Sequence, residues 1–244
     1  MLVDLHNHSS YSYDGFSSEK EIINACKIRK INAIAITEHD EICKLNYETF
    51  KKNGVELIPG REYTTNNGAH IIGLFVTDEF EYGSSREDII HEIKRQNGLV
   101  LMPHPWKPVS GYMSLYNEDR FIDKFDFIEL VNGGWSSSKY TSEIIRISKK
   151  YSLRMVSSSD SHRGCQVGLC ATRINNSSTF KIGNSKEILK AAQQADLELL
   201  IDNKMLSKKG RRVRKFQISK FYQYFVPLIP FYIKRSLKLI QYYF

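Results

Sequence analysis

Leu2-Val3-Asp4-Leu5-His6-Asn7-His8 runs an apolar strand pattern directly into two histidines, and Asp14 follows in the polar stretch Ser9 to Gly15. In an extended segment residues i and i+2 point to the same side, so His6 and His8 can face one ion. The same arrangement recurs far along the chain in Asp160-Ser161-His162, with a carboxylate in place of the first imidazole. Between these two segments the chain repeats one theme. An apolar strand pattern ends, and ligand-type residues follow.

The strand patterns are Leu2–His6, Ala33–Thr37, Val55–Pro59, Ala69–Phe75, Leu99–Met102, Phe127–Val131 and Leu153–Ser157. Helical patterns fall between several of them. Ser18-x-x-Glu21 reads as a capping box, Ser84-x-x-Glu87 opens a second helix, residues 138–150 form a third, and Asn184-x-x-Glu187 begins a fourth. Alternating strands and helices predict a parallel sheet or barrel, and such folds place their chemistry at the carboxyl ends of the strands. Six of the seven histidines obey that rule: His6, His8, His39, His70, His104 and His162 lie at or just past a strand end. Glu38-His39-Asp40 follows its strand directly, Glu62 follows Pro59-Gly60-Arg61, and His104 sits between Pro103 and Pro105. Mixed imidazole and carboxylate donors without thiolates suit Mn²⁺, Fe²⁺ or Zn²⁺ in a working site better than a structural zinc.

Five of these segments, His6-Asn7-His8, Thr37-Glu38-His39-Asp40, Gly60-Arg61-Glu62, Pro103-His104-Pro105 and Ser159-Asp160-Ser161-His162, resemble in order the motifs of the PHP (polymerase and histidinol phosphatase) family of metal-dependent phosphoesterases. The likeness runs from residue 2 to about residue 195. It departs at Glu38, where the family usually has Asp, a position not assigned as a ligand. The resemblance implies a distorted (β/α)7 barrel of the α/β class with two or three divalent ions. By motif, His6, His8, Glu62 and Asp160 would hold one ion. Asp14, His39 and His162 would hold a second. His70 and His104, with Glu62 bridging, would hold a third. The chemistry implied is hydrolysis of a phosphate ester by a metal-activated hydroxide. Asp40, beside His39, is a candidate proton shuttle or ligand orienter, with helix capping as the plain alternative. Arg163 is a candidate fork to phosphate, with a surface ion pair as its alternative. The loops around Trp106-Lys107 and Asn132–Trp135 are candidates to shape the substrate pocket. For Trp135, packing is the default.

Charge divides the chain. Residues 1–203 hold 24 Lys/Arg against 27 Asp/Glu, a net of −3, whereas residues 204–244 hold 11 Lys/Arg and no acid. The expected division is a barrel over 1–203 and a basic, aromatic, helical C-terminal extension over 204–244. Three uses of the extension stay open: closing helices packed on the barrel, a seat on an anionic membrane surface, or a grip on nucleic acid. Pro227 and Pro230 break its apolar run, so it is too short to span a bilayer. The start MLVDLHNH has no basic or apolar leader pattern, and no CxxC pair occurs among Cys26, Cys43, Cys165 and Cys170. These features predict a cytoplasmic protein with reduced thiols, with a peripheral membrane position left to the extension. The substrate expected is a small phosphomonoester, because the short span from His70 to His104 leaves no room for a large cap. The alternatives are a 5'-3' or 3'-5' exonuclease on single-stranded nucleic acid and a membrane-associated accessory protein.

Overall fold

A computed structural model of the chain describes residues 1–202 apart from 82, 136 and 176–178. The expected extension, residues 204–244, lies outside the described residues, as do its possible membrane and nucleic-acid contacts. Among the described residues, no helix is long and apolar enough to cross a membrane.

Among the described residues nine strands form one sheet: β1 Leu2–Asp4, β2 Ala33–His39, β3 Glu56–Thr64, β4 His70–Leu74, β5 Leu99–Met102, β6 Phe127–Asn132, β7 Arg154–Ser158, β8 Cys170–Ile174 and β9 Leu197–Ile201. Their order is β7-β6-β5-β4-β3-β2-β1-β8-β9. The sheet curls into a nearly closed barrel. Ser157 N–H donates to Thr172 Oγ1 at 2.8 Å and that hydroxyl donates to Ser157 O at 3.1 Å, joining β7 to β8. Six helices fill the connections: α1 Glu19–Arg29, α2 Tyr47–Lys52, α3 Arg86–Arg95, α4 Tyr112–Leu115, α5 Thr141–Tyr151 and α6 Ser185–Ala191.

The distortion of the barrel has a definite form. β1, β2 and β3 pair in parallel, as do β5, β6 and β7. β4 is antiparallel to both of its neighbours, and β8 and β9 are antiparallel as well. The reversal of β4 follows from its connection: Thr65 to Ala69 make a tight turn with Gly68 at φ +94°, too short for a crossover helix. The reversal has a use. His70, the first residue of β4, pairs with Thr64, the last of β3. A strand start is thereby brought to the rim where the parallel strands end.

Local signals act as expected, with one shift. Ser18 and Glu21 close the capping box of α1, with Glu21 N–H to Ser18 Oγ at 3.3 Å and Ser18 N–H to Glu21 Oε2 at 2.8 Å. The helix expected to open at Ser84, α3, is capped by Ser85 instead: the Asp88 N–H donates to Ser85 Oγ at 3.2 Å. Ser84 instead donates its hydroxyl to Glu81 O. Val3, Ala35, Ile58, Ile72, Leu101, Phe127 and Val156 come from seven strands and pack as one buried cluster. Side chains alternate along a strand, so the faces that build this core also deliver His39 from β2 and Glu62 from β3 at the carboxyl end.

Candidate metal centre

All nine expected ligands meet at that rim. His6 and His8 follow β1, Asp14 lies in the next loop, and His39 ends β2. Glu62 belongs to β3, His70 begins β4, His104 follows β5, and Asp160 and His162 follow β7. Backbone pairing sets the two opening motifs against each other. Asp160 N–H donates to His6 O at 2.8 Å, His8 N–H donates to Ser161 O at 2.8 Å, and Asn7 and Ser161 form a parallel bridge. The His-x-His and Asp-x-His segments therefore face one another across 150 residues of sequence. Three non-glycine residues here take left-handed backbone angles: Asp40 at φ +53°, His104 at +28° and Asp160 at +46°. Each such residue costs on the order of 1–3 kcal/mol, and such strain gathers at working sites.

The donor atoms converge. His6 Nε2 is 3.2 Å from His8 Nε2 and 3.2 Å from Glu62 Oε2, and 3.4 Å from Asp160 Oδ1. His8 Nε2 is 3.3 Å from Glu62 Oε2 and 3.4 Å from Asp160 Oδ1. Asp14 Oδ2 stands 3.1 Å from His162 Nε2 and 3.4 Å from His39 Nε2. Glu62 reaches three more imidazoles, with Oε1 at 2.7 Å from His70 Nδ1 and 3.1 Å from His104 Nε2, and Oε2 at 3.3 Å from His39 Nδ1. Four overlapping groups of donors are each close enough to share an ion: His8-Asp14-His39-His162, His6-His104-Asp160, His6-His8-Glu62 and His39-Glu62-His70. The grouping differs from the one the motifs imply: Asp160 groups with His6 and His104 rather than with His8 and Glu62, and His70 groups with His39 and Glu62 rather than with His104. His8 also stands with Asp14, and His39 also stands with Glu62.

Two further observations fit divalent ions. Neighbouring donors bound about 2.0–2.1 Å from a common ion lie roughly 3.0–3.4 Å apart, which is the spacing found. In addition, Asp14 Oδ1, His39 Nδ1, His104 Nδ1 and Asp160 Oδ2 are buried without a hydrogen-bond partner among the described residues. Buried polar atoms left this way cost about 1–3 kcal/mol each.

The electrostatics prepare the same chemistry. Burial pushes the Glu62, Asp160 and Asp14 carboxyls up, but their neighbours outweigh it and hold all three well below the usual range: His70, His6 and His39 around Glu62, His6 and Lys107 around Asp160, and His162 and His39 around Asp14. Burial pulls His39 down to about 4, and burial together with Lys107 pulls His104 down to about 3, so both are neutral donors. For His6 and His8 the carboxylates outweigh burial. Asp160, Glu62 and Glu129 raise His6 well above its ordinary value, and Asp160 and Glu62 raise His8 to about 9. The protons on those two rings hold the carboxylates in place, and a divalent ion can take over that work.

A supporting layer surrounds the donors, and much of it escapes a reading of motifs. Glu129, buried in β6, accepts His6 Nδ1–H at 3.0 Å on one oxygen. On the other it accepts His104 N–H at 2.7 Å and Asn132 Nδ2–H at 2.8 Å. An acid inside the apolar run Phe127–Val131 was its visible signal. Asp4 accepts the N–H groups of Ser159 and Gly168, both at 2.9 Å, and so fixes the start of the Asp160 segment. Glu38 accepts the N–H and hydroxyl of Ser9, which anchors the loop to Asp14. Asp40 accepts Thr64 N–H and the Thr64 hydroxyl, both at 2.7 Å, bracing the end of β2 on β3. Arg163 is exposed and lies over the Phe16 ring at 5.1 Å. Lys107, in the loop expected to shape the substrate pocket, has its Nζ 4.0 Å from Asp160 Oδ2.

Comparison with known proteins agrees with this geometry. The model of the PHP domain matches residues 4–206. An uncharacterized protein of Methanocaldococcus jannaschii is 34% identical over 146 residues, 54% of this chain and 82% of its own length. A 5'-3' exoribonuclease of Haemophilus influenzae is 38% identical over 76 residues, 29% of this chain and 27% of that protein. Among solved structures, a two-domain protein of Bacteroides vulgatus, described as containing a predicted PHP-like metal-dependent phosphoesterase, superposes with a TM-score of 0.59 at 20% identity. That match covers 86% of this chain and 69% of the other, and at this identity the likeness is one of fold.

Proposed function

The chain belongs to the PHP domain family of metal-dependent phosphoesterases, and on that premise we propose that it hydrolyses phosphomonoesters of small molecules at a site of two or three divalent ions. The observation that carries the reading is the convergence of six imidazoles and three carboxylates on one barrel rim. In this reading His6, His8, Glu62 and Asp160 would hold one ion, Asp14, His39 and His162 would hold a second, and His70 and His104 with Glu62 would hold a third. Mn²⁺, Fe²⁺ and Zn²⁺ all suit these donors. When bound, such ions make water a nucleophile near neutral pH and neutralise the phosphoryl oxygens.

The chain's own residues supply the rest. Glu62 spans the cluster with both oxygens and sets the spacing of the sites. Glu129 orients the His6 ring so that Nε2 faces the cluster, because its carboxylate takes the proton on Nδ1. Asp40 positions the end of β2. Lys107 and Arg163 are the cations available for the substrate phosphate. Residues 1–203 carry the reaction in a cytoplasmic protein, and 204–244 are an extension outside the chemistry, whether packed on the barrel, seated on a membrane surface or gripping nucleic acid. Removing 204–244 then leaves turnover intact, and loss of turnover in a folded truncation would refute that division.

The test is phosphate release by Mn²⁺-loaded protein across sugar phosphates, nucleoside phosphates, a phosphotyrosine peptide and short RNA. Turnover of a monoester that stops on adding chelator is expected. Silence across the panel with metal bound would overturn the reading. The second reading, an exonuclease on single strands, rests on the stretch shared with the exoribonuclease. Release of mononucleotides from an oligonucleotide, without monoester turnover, would favour it.

A further inference from the structure

Trp106 and Trp135 are the chain's two tryptophans, and both belong to one aromatic stack beside the donor cluster. Tyr140 stands between them. Its ring is 5.4 Å from that of Trp106, with planes 8° apart, and 6.2 Å from that of Trp135, with planes 29° apart. All three rings are partly exposed. Lys139 Nζ lies 5.2 Å from the centre of the Tyr140 ring.

The stack is tied to the cluster at two points. Trp106 and Lys107 follow His104 in a tight loop, in which Lys107 N–H donates to His104 O at 2.9 Å and Gly111 N–H donates to Lys107 O at 2.7 Å. A Cβ on Gly111 would meet Pro105 O at 2.4 Å, so the loop closes on itself and leaves Trp106 little freedom. Trp135 N–H donates to Asn132 Oδ1 at 2.6 Å, and Asn132 is bound in turn to Glu129, the partner of His6. Gly134, beside Trp135, lies against Asp160. Rings from two loops, one after β5 and one after β6, are thus tied to the donor cluster, and Lys107, next to Trp106, brings its ammonium to 4.0 Å from Asp160 Oδ2.

Core packing accounts for part of this. Trp106 and Tyr140 rest on the cluster that contains Tyr112 and Ile144. It does not account for Trp135, which joins the stack from outside that cluster, nor for rings left partly open at a polar rim. Flat, preorganised aromatic faces beside a cation are what a nucleobase with a phosphate attached recognises. On the reading that this rim hydrolyses phosphate esters, we propose that the Trp106–Tyr140–Trp135 stack is the seat of the base, and that the substrate is a phosphorylated nucleoside. The barrel's own loops then do the recognition that the chain, lacking a large insertion, cannot assign to a cap. A sugar or aliphatic phosphate would leave the stack unused.

Because both tryptophans are in the stack, fluorescence excited selectively in the indoles reports on it. The full chain, with chelator present to stop turnover, is titrated with adenosine monophosphate, ribose 5-phosphate and inorganic phosphate. Saturable quenching by the nucleotide is expected, with half-saturation at least about tenfold lower than for ribose 5-phosphate. Trp135→Leu should remove that preference while keeping the melting midpoint. With Mn²⁺ it should lower kcat/KM for the nucleotide about tenfold or more relative to that for ribose 5-phosphate. A 5'-phosphorylated tetranucleotide separates the two sources of the base, a free nucleotide or the end of a strand, and tighter quenching by either supports the seat. Equal response to nucleotide and ribose 5-phosphate, unaltered by Trp135→Leu, would overturn the proposal while phosphoester turnover still stood. Quenching selective for the base, without hydrolysis of any ester, would keep the seat and remove the hydrolase reading.

Discussion

Glu129 Oε1 lies 3.0 Å from His6 Nδ1, with both side chains fully shielded from solvent. The carboxylate fixes the ring and its tautomer, and it increases the basicity of the opposite nitrogen. Glu129→Gln keeps the shape but lets the amide present an N–H to the same nitrogen. Metal affinity should fall roughly 10- to 100-fold, with activity following. Metal content after dialysis against graded chelator, with turnover at saturating Mn²⁺, checks this. Unchanged retention would show that Glu129 serves packing alone.

His6 stands in two donor groups, and Asp160 completes one of them with His6 and His104. His6→Ala or Asp160→Ala should therefore lower bound metal and cut turnover by more than about a hundredfold, since ions contribute several kcal/mol to such a transition state. Elemental analysis beside a kinetic assay is the measurement. Full activity in either variant would remove the cluster from the reaction.

Metal uptake should release protons at pH 7. His8 is raised to about 9 and His6 lies well above its ordinary value, so both rings are protonated there and must lose a proton to bind an ion. His39 and His104, at about 4 and 3, are already neutral and add nothing to the count. Apparent affinity should accordingly rise with pH from about 6 to 9. Calorimetry in buffers of different ionisation enthalpy gives the number of protons. Zero release at pH 7 would contradict the charge states described.

Gly134 sits where a Cβ would meet Asp160 Oδ2 at 2.5 Å. Gly134→Ala should push Asp160 out of line and lower metal content and turnover together, with the barrel still folded. Gly54→Ala is the control. Gly54 has φ +76° and open space around it, so the change should cost about 1–2 kcal/mol of stability and no activity. Equal activity in the two variants would show that Asp160 tolerates displacement.

Much of the site was legible before the fold was known, because its signals are local. An i, i+2 pair such as His6 and His8 has its geometry fixed by the strand itself. The end of a buried strand is where a barrel exposes polar groups. All seven expected strands formed, with boundaries moved by a few residues. β8 and β9 were passed over. Cys170–Ile174 and Leu197–Ile201 end in no ligand-type cluster, and short apolar runs have no period that separates strand from helix.

The amino-acid sequence by itself determined which imidazoles and carboxylates are candidate donors, the order in which they appear and the α/β alternation that brings them to one rim. Only the tertiary structure decided how the donors are shared, that β4 turns back to deliver His70, and that Glu129 stands behind His6 across 123 residues. It alone also brought Trp135 onto Tyr140 and Trp106. The reason is physical. Strand period and capping are set by neighbours along the chain, whereas a hydrogen bond or ring contact between distant residues exists only once the barrel has closed and excluded water from between them.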